Sequence, residues 1–136
     1  MGSRNIQDAS LIKTKALPNG AATIYSDAFD LMNTARGDFV APIEFTLTAP
    51  ALVTADLPDT ETMTYSIQLD DDVAFGSPTV YGVTALLQTG AGGAGDATDS
   101  LVFALPSTAP RYMRIKAVNS GAGDASDKSL TIEANF

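Results

Sequence analysis

Apolar and polar side chains alternate with a period of two along most of this chain. Met63, Tyr65, Ile67 and Leu69 are interleaved with Thr64, Ser66 and Gln68. Successive side chains of a strand point to opposite faces, so this run predicts a strand with one buried face. Three later runs read the same way. Leu101, Phe103 and Leu105 alternate with Val102 and Ala104; Met113, Ile115 and Ala117 with Tyr112, Arg114, Lys116 and Val118; Leu130, Ile132, Ala134 and Phe136 with Thr131, Glu133 and Asn135. Earlier, Phe39, Ala41, Ile43, Phe45 and Leu47 alternate with Val40, Pro42, Glu44, Thr46 and Thr48. Pro42 has no N–H to give to a ladder, which points to an edge strand or a bulge there. Residues 80–87 are rich in β formers but lack one phase, because Gly82 weakens one face and Leu86-Leu87 fills both.

Two shorter strands are expected at Ala22 to Tyr25 and at Phe29 to Leu31. The best helix candidate, Asp27 to Arg36, holds Phe29, Leu31 and Met32. Asp30, Asn33 and Thr34 are poor helix formers and Gly37 closes the segment, so it allows one or two turns at most. Seven or eight strands separated by Gly, Asp and Ser turns describe an all-β domain, an antiparallel sandwich or barrel. Residues 1–20 show neither period, and Pro18-Asn19-Gly20 is a strong turn signal. The expected organisation is an extended N-terminal arm, 1–20, on a β body, 21–136.

The 136 residues include no histidine and no cysteine. That removes the groups most often used for proton transfer, nucleophilic attack and transition-metal binding, so a structural or binding role is expected, with no enzyme activity and no cofactor. No run approaches the eighteen or so apolar residues of a membrane helix, and no secretory leader is legible in the first sixteen residues. The formal net charge of −8 argues against nucleic acid as a partner. Arg4, Lys13 and Lys15 against Asp8 give residues 1–20 a net +2, which leaves −10 on residues 21–136.

Four constellations bear on possible chemistry. Gly90-Ala91-Gly92-Gly93-Ala94-Gly95 has the glycines of a dinucleotide fingerprint, but a strand follows where the fingerprint needs a helix N-terminus. Asp70-Asp71-Asp72 is the densest carboxylate cluster; its spacing is not that of a calcium-binding EF-hand loop, and a solvated acidic turn is expected, as for the Asp96/Asp99 and Asp124/Asp127 pairs. Those last pairs lie in an internal echo, Ala94-Gly95-Asp96-Ala97 and Ala122-Gly123-Asp124-Ala125, each copy leading into a strand as a connection. Finally, Arg111, Arg114 and Lys116 place three of the body's five basic residues on one strand, either an ordinary solvated face or a docking stripe for an acidic partner.

The run Ser66-Ile67-Gln68-Leu69-Asp70-Asp71-Asp72-Val73-Ala74-Phe75-Gly76-Ser77-Pro78, followed by Pro110-Arg111-Tyr112-Met113-Arg114-Ile115 and a closing strand, resembles the cement or decoration proteins of tailed bacteriophages, in particular the Bordetella phage cement-protein family. The resemblance covers most of residues 39–136 and leaves residues 1–21 outside. It implies a jelly-roll-like sandwich, present as a dimer or trimer of itself on the outer surface of a virion, bound to a major capsid protein of HK97-like fold. It implies no catalytic residue. The candidate partner-binding residues are then Arg4, Lys13 and Lys15 on the arm and Arg111, Arg114 and Lys116 on the body. The competing readings are a carbohydrate- or host-binding β-sandwich of a tail or fibre, and a surface adhesion module using calcium at its Asp loops.

Overall fold

The computed structural model describes residues 12–31, 44–106 and 108–135. They form nine strands: β1 (Ile12–Ala16), β2 (Thr23–Tyr25), β3 (Phe29–Asp30), β4 (Glu44–Ala49), β5 (Thr62–Asp70), β6 (Thr79–Thr89), β7 (Asp99–Ala104), β8 (Tyr112–Asn119) and β9 (Ser129–Asn135). One sheet runs β1-β9-β4-β7, and the other β2-β8-β5-β6, with β3 also on the outer side of β8. Every pairing is antiparallel. If β2 and β3 are taken as two pieces of one broken strand, the order is that of an eight-stranded jelly roll, in which every connection but the β5–β6 hairpin crosses between two facing sheets.

The alternating residues do what their period requires. Met63, Tyr65, Ile67 and Leu69 of β5, Met113, Ile115 and Ala117 of β8, Leu130 and Ile132 of β9, and Phe45 and Leu47 of β4 all point between the sheets and are buried. Phe29 meets Phe45 edge-on and Phe45 stacks on Phe103, both pairs with ring centroids 5.4 Å apart, so one aromatic line crosses from the β3 edge to β7. The unclear phase of residues 80–87 is a bulge. Tyr65 pairs with Leu86 and Ile67 with Tyr81, so residues 82–85 of β6 face the single residue Ser66. Gly82 sits in that excursion at φ +77°, a region open to glycine and strained for other residues.

The structure decides three points of the sequence reading. Residues 12–20, assigned to the arm, belong to the sandwich: β1 pairs with β9 from Ile12↔Glu133 to Ala16↔Ser129, and Leu17 is 2 % exposed in the core. Phe29 and Asp30, which also fell within the helix candidate, are extended and pair with Met113 and Tyr112 of β8, as the short strand expected at Phe29 to Leu31 requires. Of the two readings of Pro42, an edge strand or a bulge, the edge does not hold for the described part of that strand, since β4 lies between β9 and β7. Its described ladder starts at Glu44; Pro42, Phe39 and residues 32–36 of the helix candidate lie outside the described residues, as do residues 1–11.

Candidate functional site

The six basic positions separate into two groups. Lys13 and Lys15 sit on β1, the outer strand of its sheet. The Lys13 ammonium lies 5.1 Å from the Phe29 ring centroid, spanning the gap between the two sheets at this side. Arg4 is outside the described residues.

Arg114 and Lys116 lie on β8 and Arg111 directly precedes it, and both guanidiniums already have partners within the chain. Arg111 donates from Nε and Nη2 to the two carboxylate oxygens of Asp30, each at 2.9 Å, and that pairing raises its pKa above the ordinary arginine value. The Arg114 guanidinium lies between two aromatic rings, 3.8 Å from the Tyr25 centroid and 4.1 Å from that of Phe75, while its Nε donates to Gln68 Oε1 at 2.8 Å. Burial lowers its pKa, and the fields of Tyr25 and Asp70 oppose that shift. Lys116 is half-buried and stands in register with Ser66 on one side and Tyr25 on the other.

The acidic turn explains how Phe75 reaches Arg114. Asp70 Oδ1 accepts the Asp72 N–H and Oδ2 the Ser77 N–H, Asp72 Oδ1 accepts the Ala74 N–H, and Asp71 Oδ1 accepts the N–H of Arg111. These bonds hold Phe75 at φ +52°, an unusual conformation for a bulky residue, with its side chain buried against the cation. The backbone N–H groups of Asp72 and Ser77 lower the pKa of Asp70. The triple aspartate is therefore a folded turn whose oxygens point at backbone donors.

The opposite end follows the same logic more densely. Glu61 takes the N–H groups of Ala122 and Gly123, Asp59 that of Gly93, Asp96 that of Thr89, and Asp56 that of Val53, while Lys128 Nζ stands 3.2 Å from Asp56 Oδ2. The two copies of the Ala-Gly-Asp-Ala echo occupy matching places: Asp96 bridges to Leu52 and Asp124 to Asn19. A Cβ on Gly90, Gly95 or Gly123 would run into the backbone carbonyl of Pro58, Leu52 or Asp56 respectively, so the glycine-rich segment is a packed connection. Beneath it, the Tyr65 hydroxyl donates to Gln88 Oε1 at 2.8 Å, and Gln88 Nε2 donates to the carbonyls of Pro50 and Ala97. Burial raises the Tyr65 pKa beyond the usual tyrosine range. Among the described residues no group of three or more metal-ligating side chains converges.

Sequence reasoning missed one concave feature. Where β6 bulges away from β5, a cleft of about 440 Å³ opens between β6 and β7, each the last described strand of its sheet, lined by Ile67, Tyr81, Gly82, Ala85, Leu101 and Phe103, with Thr84 at the bulge. The Tyr81 hydroxyl donates to the Ala104 carbonyl at 3.2 Å across it. The only trace of it in the sequence is the broken alternation at Gly82 and Leu86-Leu87.

No protein-family model and no curated protein matches the chain. Among solved structures it is similar to the VP2 subviral particle of infectious bursal disease virus, at 12 % identity and a TM-score of 0.34, over 90 % of this chain and 28 % of that one. The Gx strain of the same virus gives 12 % identity and 0.32, over 90 % and 27 %. A third is the CBM32 of AlyQ in complex with 4,5-unsaturated mannuronic acid, at 23 % identity and 0.31, over 92 % and 76 %. The chain spans little more than a quarter of the viral proteins it matches, and likenesses of this size carry no functional argument. Its assignment as a two-sheet, jelly-roll β-sandwich rests on its own strand order.

Proposed function

We propose that this chain is a structural virion protein that decorates an assembled phage head and braces contacts between major capsid protein subunits, with residues 1–11 as the strap. The observation that carries the reading is the root of that segment. β1 is joined to β9 along five residue pairs, and Leu17 plugs into the core directly after it. The bonds of an antiparallel ladder run perpendicular to the strands. A pull along β1 thus loads them together in shear, whereas a segment joined through a loose loop would bear load only once the loop is drawn taut. The sequence supports the same reading, because the basic residues Arg4, Lys13 and Lys15 gather on this segment and its root while the body is acidic. The carboxylates most available for chemistry are engaged with backbone donors, which suits a bracing body without catalysis.

The test compares heads assembled with the full chain, with a chain lacking residues 1–11, and without it. Heads carrying the full chain should release their genome at the highest temperature, and the truncated chain should protect little. Equal release temperatures for all three, or the chain located on tail fibres and retained by a glycan column, would replace this reading with that of a binding module.

A further inference from the structure

We infer that the outward face of the β2-β8-β5-β6 sheet is the surface this chain sets down on an acidic protein partner, with Lys116 in its central row meeting a carboxylate of that partner. The inference deepens the capsid reading and rests on it, the partner being the assembled shell.

Met63, Tyr65 and Ile67 of β5 and Met113, Ile115 and Ala117 of β8 are buried between the sheets, so the residues that alternate with them point out of this sheet. Strand register sets the outward residues in rows. Thr23, Val118, Thr64 and Leu87 make one row across four strands. Tyr25, Lys116 and Ser66 make the next, which ends at the β6 bulge. Arg114, Gln68 and Val80 make the third. None of the three rows holds a carboxylate. Asp30 and Asp70 stand one row further on, both in register with Tyr112.

The facing sheet is the reverse. Its outward face carries Glu133, in register with Ile12 and Thr46, and Glu44, in register with Ala104. Its two lysines, Lys13 and Lys15, stand in register with the buried Ile132 and Leu130 and so belong to the other phase of β1. Among the described residues, one face of an acidic body thus has cations and no acid, and the opposite face has acids and no cation.

Lys116 is the cation with charge to offer. The Arg114 guanidinium is held between the rings of Tyr25 and Phe75, whereas no ion pair engages Lys116 among the described residues. Its neighbours on the face are hydroxyls and apolar groups, with Tyr25 40 % exposed, Val80 49 % and Leu87 53 %. Aromatic and aliphatic area with few charges is what the centre of a protein interface is made of. A single ammonium within it sets the charge of the surface that fits.

A second copy is the wrong occupant. A two-fold contact on this face would bring two Lys116 ammoniums together near the axis. Three rows about 6.8 Å apart on four strands about 4.8 Å apart cover roughly 400 Å², about half of what each side gives to a standard stable interface. A contact of that size holds where others share the load, which suits a shell that residues 1–11 strap and on which every copy repeats the contact.

The experiment adds the purified full chain to heads assembled without it and measures what pellets with them. It compares the wild type with Lys116→Glu, Leu87→Glu and Val102→Glu, each checked for native β signal by circular dichroism. Leu87→Glu and Val102→Glu both replace a half-exposed aliphatic residue and add one negative charge, but Val102 points out of the facing sheet, in register with Thr46. Lys116→Glu and Leu87→Glu should bind about tenfold more weakly, and Val102→Glu like the wild type. Wild-type binding by Lys116→Glu and Leu87→Glu, or an equal loss in Leu87→Glu and Val102→Glu, overturns the inference and leaves the capsid reading in place. A wild type that does not pellet with heads overturns both. If Lys116→Glu or Leu87→Glu fails to fold, acetylation of the wild-type lysines decides. Slower modification of Lys116 on heads than in solution, with Lys128 unchanged, supports the face, and one rate for Lys116 in both states overturns it.

Discussion

At the end of the sandwich where residues 50–61, 90–98 and 120–128 meet, carboxylates take up N–H groups of neighbouring connections and glycines let backbones touch. At the opposite end, the acidic turn at 70–77 bonds mostly to itself and is fastened to the body through Arg111 and by the two rings around Arg114. Both ends are acidic and glycine-containing, yet in the first the backbone is the fastening and in the second a side-chain cation is. Backbone-to-backbone packing tolerates no added atom, whereas a cation between rings can be weakened in steps.

The largest separation should come from glycine. Gly95→Ala puts a Cβ into the Leu52 carbonyl at a φ of +69°, and a loss above about 3 kcal/mol, or failure to fold, is expected in urea denaturation. Gly76→Ala in the acidic turn, where a Cβ meets nothing within 4 Å, should stay within about 0.5 kcal/mol.

Next is the carboxylate that joins two connections. Glu61→Ala leaves the N–H groups of Ala122 and Gly123 without an acceptor and should cost about 1–3 kcal/mol, while Asp72→Ala, which frees only the exposed Ala74 N–H, should cost well under half as much. A Glu61→Ala protein as stable as the wild type would remove the distinction between the ends.

Smaller again is Arg114→Lys. A lysine keeps the charge but loses the flat stacking between Tyr25 and Phe75 and the fixed bond to Gln68, so about 1 kcal/mol is expected, with faster amide exchange in residues 70–77 and unchanged exchange in residues 90–98. Slower or equal exchange in the acidic turn would show that the rings are not fastened by this cation.

The mildest effect is acid dependence. The pKa values of Asp70 and Asp124 are both lowered, by the bonds to Asp72 and Ser77 and by those to Ser126 respectively. Groups held below their unfolded value stabilise the fold fully above that value, 3.8 here, and the contribution is lost as pH falls through the folded one. Stability should thus be level through neutral and mildly acidic pH and decline below about 4, less steeply in Asp70→Asn with Asp124→Asn.

Most of the sandwich was legible because its interior strands bury one face, and burial on one face is what writes a period of two into a sequence. β5, β8 and β9 show this directly. β1 was not legible for the same reason: Ile-Lys-Thr-Lys-Ala lies at an edge with little of either face buried, so nothing in its pattern marks pairing with β9. The cluster Arg111, Arg114 and Lys116 was found, but its engagement was not, because Asp30, Tyr25 and Phe75 reach it from strands and turns distant in sequence. The acidic turn and the glycine-rich segment were recognised as connections. What they grip could not be read, since their partners are backbone groups, which every residue except proline has in common.

The pairing of Ile12 with Glu133 has a practical corollary. β1 sets out from the corner at which β9 finishes, so the first and the last described strands of the sandwich are neighbours on one sheet. Whatever precedes β1 and whatever follows β9 therefore leave the sandwich at one shared corner, so a load applied to either strand is handed directly to the other.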